Sequence, residues 1–363
     1  MGERKKGKKG KFTLPGLSFW GKKQEIVDKL RKGIRFLGYL LAGILALSLL
    51  LLAWVNIPLK EPQGTFALGT TFSQRYAQDI GLDWRKVYIA LLDDLQMRDI
   101  RIPVYWDFVE PKEGEYDFAD LDWQLAEAQK RGARITLVVG QKVPRWPECY
   151  IPSWAEGQGD WRIQRQLEMI RKVVERYREW EAVARWQVEN EPFLAFGICP
   201  PLEGDLLDKE ISLVRSLDPS RPIVVTDSGE LSLWVGAAKR ADVFGTTMYR
   251  EVYSAKLGHW NYPIGPNFFR LKRVLVSAFT GQKNFMVAEL QGEPWVKGWT
   301  VHAPLETQLE SMNAAKLLEN IAFAKKTGMT EIHIWGVEWW YWLMETQGDA
   351  SVWNAARSAV AGE

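Results

Sequence analysis

The chain has 363 residues, 47 Lys+Arg against 45 Asp+Glu, and a formal net charge of +2. Hydrophobic residues at 47% and charged residues at 25% match a folded protein and exclude wholesale disorder. With three His and two Cys, and no CxxC, HExxH, GxGxxG or GxxxxGK[ST] pattern, the chain lacks the ligands of a zinc hydrolase and any handle for nucleotides.

The charge is unevenly placed. Residues 1–35 hold 12 Lys/Arg and three acids, a net +9; residues 36–55 carry none; the remainder, 56–363, is −7. The acidic body argues against nucleic acid as a partner. Phe36–Val55 is 20 uncharged residues, enough at about 1.5 Å per residue to cross a bilayer core of about 30 Å. A secretory signal has an apolar region of roughly 7–15 residues and a small-residue cleavage site. Trp54–Pro58 offers no such site. The expectation is an uncleaved signal anchor over 36–55, behind a basic cytoplasmic segment at 1–35 and ahead of a short stalk at 56–65. The basic flank holds the N-terminus in the cytoplasm and sends the body across the membrane. Lys22–Arg35 reads either as an amphipathic helix on the anionic leaflet or as a solvated basic tail.

From Phe66 onward, strand-like apolar runs alternate with helical patterns. Strands are expected at Phe66–Thr70, Ile100–Tyr105, Arg134–Gly140, Ala184–Val188, Pro222–Thr226, Val243–Thr247, Asn284–Ala288 and Glu331–Trp335. Helices are expected at Trp84–Met97, Phe118–Arg131, Gln164–Trp180, Leu206–Leu217, Ala303–Lys326 and Val352–Val360. Eight βα units over 66–363 predict a (β/α)8 barrel, with an open doubly wound sheet as the alternative. In such a barrel the chemistry sits at the C-terminal ends of the strands. There the fourth strand ends in WQVENEP and the seventh in NFMVAELQGEPW, which places Glu191 and Glu289 at two strand ends. Two facing carboxylates are what glycosidic cleavage needs, one to protonate the departing oxygen and one to attack the anomeric carbon or activate water.

Several segments, in order, carry a resemblance. IRIPVYWDFVEPKEGEYDFADLD (Ile100–Asp122), WQVENEP (Trp186–Pro192), SLDPSRPIVVT (Ser216–Thr226), MVAEL and HIWGVEWW (His333–Trp340) resemble the barrel strands of clan A, the superfamily of retaining glycoside hydrolases that includes cellulase-like and β-galactosidase-like families. The resemblance implies Glu191 as general acid and then base, with a raised pKa, and Glu289 as nucleophile. It implies that Asn190 donates to the sugar 2-hydroxyl, that Arg101 pairs with Glu289, that Tyr249 hydrogen-bonds it, and that Trp335 forms the floor under the sugar. For the nucleophile, Glu293 and Glu338 are rivals; Glu289 is preferred because a strand end is held more rigidly than a loop. One departure stands out: many relatives carry a His beside the sixth-strand Tyr, where TTMYR has Thr247 and Met248. A sugar hydroxyl read by that His must be read otherwise here.

Of 19 Trp, 17 lie beyond the apolar run. Ten of these (Trp106, Trp146, Trp154, Trp260, Trp295, Trp299, Trp335, Trp339, Trp340 and Trp342) fall at strand ends or in the loops after them, where their faces suit sugar rings. No more than half are expected to touch ligand, Trp106 and Trp295 among them. Arg250–Asn267, with Trp260 and Tyr262, is expected to shape the cleft. Cys149 and Cys199 follow neighbouring strands, which leaves open a disulfide between two active-face loops or two free thiols. The expected protein is a membrane-anchored, extracytoplasmic retaining β-glycosidase that needs neither cofactor nor metal. A transglycosylase of the same fold and a catalytically inactive glycan-binding barrel are the alternatives.

Overall fold

A computed structural model describes residues 2, 7, 16–60, 62–157, 159–200, 205–254, 256 and 258–362. Most of the basic stretch at 1–15 therefore lies outside the described residues. The chain divides into two units, Met1–Val55 and Asn56–Glu363.

The first unit holds one continuous 40-residue helix, Gly16–Val55. The sequence drew a boundary at Phe36, yet the helix runs through it, because residues 16–57 contain no proline to interrupt the backbone ladder. Glu25 and Lys29 pair along it at 2.7 Å. Over Glu25–Val55, 31 residues, it is long and apolar enough to cross a membrane, and none of its most apolar window is buried.

The second unit is a closed parallel barrel. Its strands are β1 (Ala67–Thr71), β2 (Asp99–Pro103), β3 (Arg134–Val139), β4 (Val183–Val188), β5 (Ile223–Asp227), β6 (Val243–Met248), β9 (Phe285–Gln291) and β10 (Glu331–Trp335). Between β6 and β9 stands an antiparallel hairpin of β7 (Glu251–Ser254) and β8 (Gly258–Asn261). All eight expected barrel strands are present within three residues of their expected ends. The hairpin and the helices Pro266–Thr280 and Val337–Gln347 were not foreseen. The expected helix Ala303–Lys326 is broken into Leu305–Ser311 and Ala314–Lys326. Asn313 breaks it: its backbone is extended and its side chain accepts from the Lys316 amide at 3.1 Å, an N-cap.

Strand alternation sorts the side chains. Ile100, Ile102, Trp186, Val188, Phe244, Val287 and Leu290 face outward into one core shared with the helices. Inside the barrel, Val224, Met286 and Ala288 form a small apolar plug. Near the strand N-termini the interior is ionic: Glu331 meets Arg185 at 2.7 Å and His333 at 3.1 Å. Toward the C-terminal ends the interior turns polar again, through Arg101, Gln187 and Glu289. Glu289 points inward because of a bulge. Thr246 and Thr247 of β6 pair with Val287 and Glu289 of β9, so Ala288 is the extra residue and two successive side chains face the interior.

Burial alone would raise the Glu331 pKa, but the imidazole of His333 and the guanidinium of Arg185 close beside it outweigh that and hold it at about 2. A carboxylate depressed in the folded state stabilises above its unfolded pKa and loses that contribution as pH falls toward the folded value. Glu331→Gln should therefore lower the melting temperature at pH 7, and the gap from wild type should narrow steadily below about pH 4.5. Thermal melts across that range check it.

Candidate active site

The guanidinium of Arg101, on β2, is fully buried and binds four side chains. Nη1 donates to Glu289 Oε1 at 2.6 Å and to Thr71 Oγ1 at 3.3 Å, Nη2 to Asn190 Oδ1 at 2.6 Å, and Nε to Gln187 Oε1 at 2.7 Å. A planar fork with fixed donors can hold β1, β2, β4 and β9 in one register, which a lysine could not. The second oxygen of Glu289 accepts from the Tyr249 hydroxyl at 3.0 Å. Burial, then the neighbouring charges of Glu289, Glu191 and Glu293, push the Tyr249 phenol well up, so it stays a donor.

Glu191 sits on a sharply turned segment after β4. Glu189 and Glu191 have φ of +59° and +44°, a left-handed geometry that non-glycine residues hold only when their surroundings impose it. Here the restraint is visible. Glu189, fully buried, accepts from the amides of Gln141 at 2.7 Å and Lys142 at 2.8 Å. Gly140 makes room for it: a Cβ there would lie 2.4 Å from Glu189 Oε1. The Glu191 amide donates to Thr226 Oγ1 at 3.0 Å, and its carbonyl accepts from Lys142 Nζ at 3.1 Å. Thr247 donates to Glu191 Oε1 at 3.0 Å, so the residue that stands near the absent His serves the carboxyl itself. Burial, then the charges of Glu289 and Glu148, raise the Glu191 pKa well above the carboxylate range, against Lys142 and the Thr247 hydrogen bond.

Both carboxylates line one cavity of about 600 Å³, together with Tyr249, Trp295 and Trp335. Arg145 is clamped between the Trp335 and Tyr76 rings, 4.0 and 3.9 Å from their centroids. It also pairs with Glu293, and with Glu338 at 2.6 Å. The Trp335 indole donates to Glu293 at 2.7 Å, which fixes the plane of that ring. Among the rivals of Glu289, Glu293 is tied down by these two donors, and Glu338 is fully buried against Arg145 and the Ser73 amide. Asn190 and Arg101 lie buried just behind the cavity wall.

Trp106 is a correction. It does not line the cavity: it begins the short helix Trp106–Val109, is 2% exposed, and donates to Glu110 at 2.8 Å while meeting Trp154 edge-on. Of the ten loop tryptophans, Trp146, Trp295, Trp299 and Trp335 line the cavity. Trp339, Trp340 and Trp342 are buried on the Val337–Gln347 helix, where the 3.6-residue repeat carries them into the core. In the Arg250–Asn267 segment, Val252, Tyr253 and Tyr262 line the cavity and Trp260 does not.

Sequence reasoning missed Arg145, Glu148 and Glu230, all in the lining. The first two belong to the run KVPRWPECY, read only for its Trp and Cys. Glu148 pairs with Lys142 at 3.1 Å, and burial, against that lysine, pushes it up to about 7. Glu230 accepts from the Tyr249 amide at 3.1 Å and is also raised to about 7 by burial. Cys149 and Cys199 form a disulfide, which settles the open alternative.

Two outcomes follow for stability. Arg101→Met strands Glu289 without its buried partner and should cost about 3–5 kcal/mol in chemical denaturation. A carboxyl raised in the folded state loses stability as pH rises above its unfolded value. Glu191→Gln should therefore melt above wild type at neutral and alkaline pH, with the difference fading below about pH 4.5.

A closed parallel barrel with two carboxylates at the ends of its fourth and seventh strands is the architecture of the clan A glycosidases that the sequence resembles. Among solved structures of similar fold are a GH10 endoxylanase from a sugarcane soil metagenome and the β-galactosidase from the psychrophilic Marinomonas ef1. The endoxylanase has TM-score 0.52 at 13% identity, covering 75% of this chain and 86% of that one. The β-galactosidase has TM-score 0.51 at 12% identity, covering 81% and 59%. At such identities the likeness is one of fold. In sequence, the chain is 24% identical over 127 residues to a probable mannan endo-1,4-beta-mannosidase F of Aspergillus flavus, 32% of this chain and 26% of that protein. It thus spans about a quarter of the length of the curated relatives it matches. No family model matches the chain.

Proposed function

We propose that the protein is a membrane-anchored retaining β-glycosidase acting on an oligo- or polysaccharide outside the cytoplasm. The observation that carries this is the unequal setting of two carboxylates in one cavity. Glu191 is buried with a hydroxyl on one oxygen and its pKa raised; Glu289 has a guanidinium on one oxygen and a phenol on the other. Pairs whose environments differ in this way divide acid and nucleophile between them.

In the first step Glu289 bonds the anomeric carbon as the glycosidic C–O bond breaks, and Glu191 gives its proton to the leaving oxygen, which departs as a hydroxyl group of the released sugar. In the second, Glu191 takes a proton from water, the oxygen attacks the anomeric carbon, and the Glu289 ester bond breaks. In this reading Asn190, held by Arg101 behind the cavity wall, would donate to the 2-hydroxyl, and Trp335 would lie under the ring. A carboxyl separation of about 5–5.5 Å accompanies this retaining course, against about 6.5–9.5 Å for inversion. A sugar in place of the water would make the same site a transglycosylase.

The anchor reading rests on the Glu25–Val55 span and the +9 charge that precedes and overlaps it. The N-terminus would stay cytoplasmic and the barrel would face outside, where a Cys149–Cys199 disulfide persists.

The test is a panel of aryl β-glycosides with wild type, Glu191→Ala and Glu289→Ala. On a dinitrophenyl glycoside, which leaves without a proton, Glu191→Ala should keep its first step and regain turnover with azide, giving the β-glycosyl azide. Glu289→Ala should lose about 10⁴-fold or more in kcat, as expected when a nucleophile is removed. The alkaline limb of wild-type kcat/KM should lie well above the ordinary carboxylate range and disappear in Glu191→Ala. Wild type as inactive as both variants on every sugar, while still binding glycans, would establish the binding-scaffold alternative instead.

A further inference from the structure

We infer that the two loops joined by the Cys149–Cys199 disulfide form a subsite for the leaving group, a second sugar ring stacked on Trp146 and Phe196. This rests on the glycosidase reading above.

The position follows from the chemistry. Glu191 protonates the departing oxygen, so whatever departs must lie on the Glu191 side of the cavity. The wall there comes from its own loop, through Leu194 and Phe196, and from the loop after β3, through Trp146. Trp146 is 53% and Phe196 39% exposed, in a chain that buries Trp106, Trp186, Trp234, Trp339, Trp340 and Trp353 almost completely. Two large rings left open beside a cavity lose hydrophobic stabilisation unless something covers them. Their centroids are 5.7 Å apart at 63°, and Phe196 continues to Trp295 at 6.2 Å. Together they make an apolar corner for the C–H face of a pyranose, whose hydroxyls would stay toward solvent.

The corner is held in place before any ligand arrives. The disulfide closes a 50-residue separation. The Ile198 amide donates to the Pro147 carbonyl at 2.9 Å, and Lys142 Nζ to the Leu194 carbonyl at 3.0 Å. Gly197, at φ +91°, lets the loops touch: a Cβ there would lie 2.8 Å from the Pro147 carbonyl oxygen. A wall fixed in this way avoids the ordering cost of a mobile loop on binding. The inference narrows the substrate class to glycans with a sugar, not a small alcohol, on the leaving side. It also makes the disulfide a positioning element for that subsite.

The experiment uses the full chain in detergent and paired probes with and without a leaving-side ring. The pairs are β-mannosyl, β-galactosyl and β-xylosyl fluoride against the matching β-1,4-linked tetrasaccharides. Fluoride departs as an ion and fills no subsite. For whichever pair the wild type turns over, the ratio of kcat/KM on tetrasaccharide to kcat/KM on fluoride should fall about 2- to 12-fold in Trp146→Ala and again in Phe196→Ala. The Cys149→Ser, Cys199→Ser double variant should lower it in the same direction, chiefly through KM. Equal losses on both probes, or an unchanged ratio, would overturn this inference and leave the glycosidase reading intact. A wild type that turns over none of these probes and no aryl β-glycoside of the panel above would overturn both.

Discussion

The guanidinium of Arg101 is where fold and chemistry meet. It has no access to water, so each of its donors needs an acceptor inside the protein. Glu289, Asn190, Gln187 and Thr71 supply them, from β9, the turn after β4, β4 itself and β1. Neither partner of the ion pair can be removed alone without stranding a buried charge. The barrel must therefore close with these strands in one register, and that register sets Glu289 against the cavity.

Around this hub the interior is layered. An ionic group of Arg185, Glu331 and His333 fills the end away from the cavity, an apolar plug of Val224, Met286 and Ala288 lies between, and the Arg101 group faces the site. Backbone strain sits at the last layer, in the left-handed residues Glu189 and Glu191. Glu189 is locked by two amides and backed by a second buried carboxyl, Glu210. Burial raises the pKa of both, Glu210 the further because the charge of Glu189 adds to it, and Gln166 donates to each. Such a knot is expensive to desolvate and stiff once formed, which suits a carboxyl that must be aimed.

Much of this was legible along the chain. Residues a few positions apart reported the eight strands, because a buried parallel strand reads as an apolar run and the helix after it as a periodic one. The pairing of Arg101 and Tyr249 with Glu289 came from resemblance, and the geometry has both contacts. The failures have physical causes. Trp106 was placed in the cavity because it follows a strand, yet one turn of helix rotates it into the core. Trp339, Trp340 and Trp342 stand in a run that continues as helix instead of loop. Arg145 went unnoticed because its partners, Tyr76, Glu293, Trp335 and Glu338, lie 69 to 193 positions away, one before it and three after.

What the sequence by itself determined was set by local composition: a basic head, an uncharged run long enough for a bilayer, a βα alternation, and carboxylates at two strand ends. These properties depend on residue type and spacing within one segment. The tertiary structure decided what depends on closure. Only a closed barrel brings Arg101 to Glu289 across 188 positions and lets Thr247 serve Glu191. Only strand pairing reveals the bulge at Ala288 that turns Glu289 inward, because a bulge is a mismatch between two strands and neither sequence carries it alone. The disulfide belongs to the same class: its two cysteines were visible from the start, but their distance is a property of the fold.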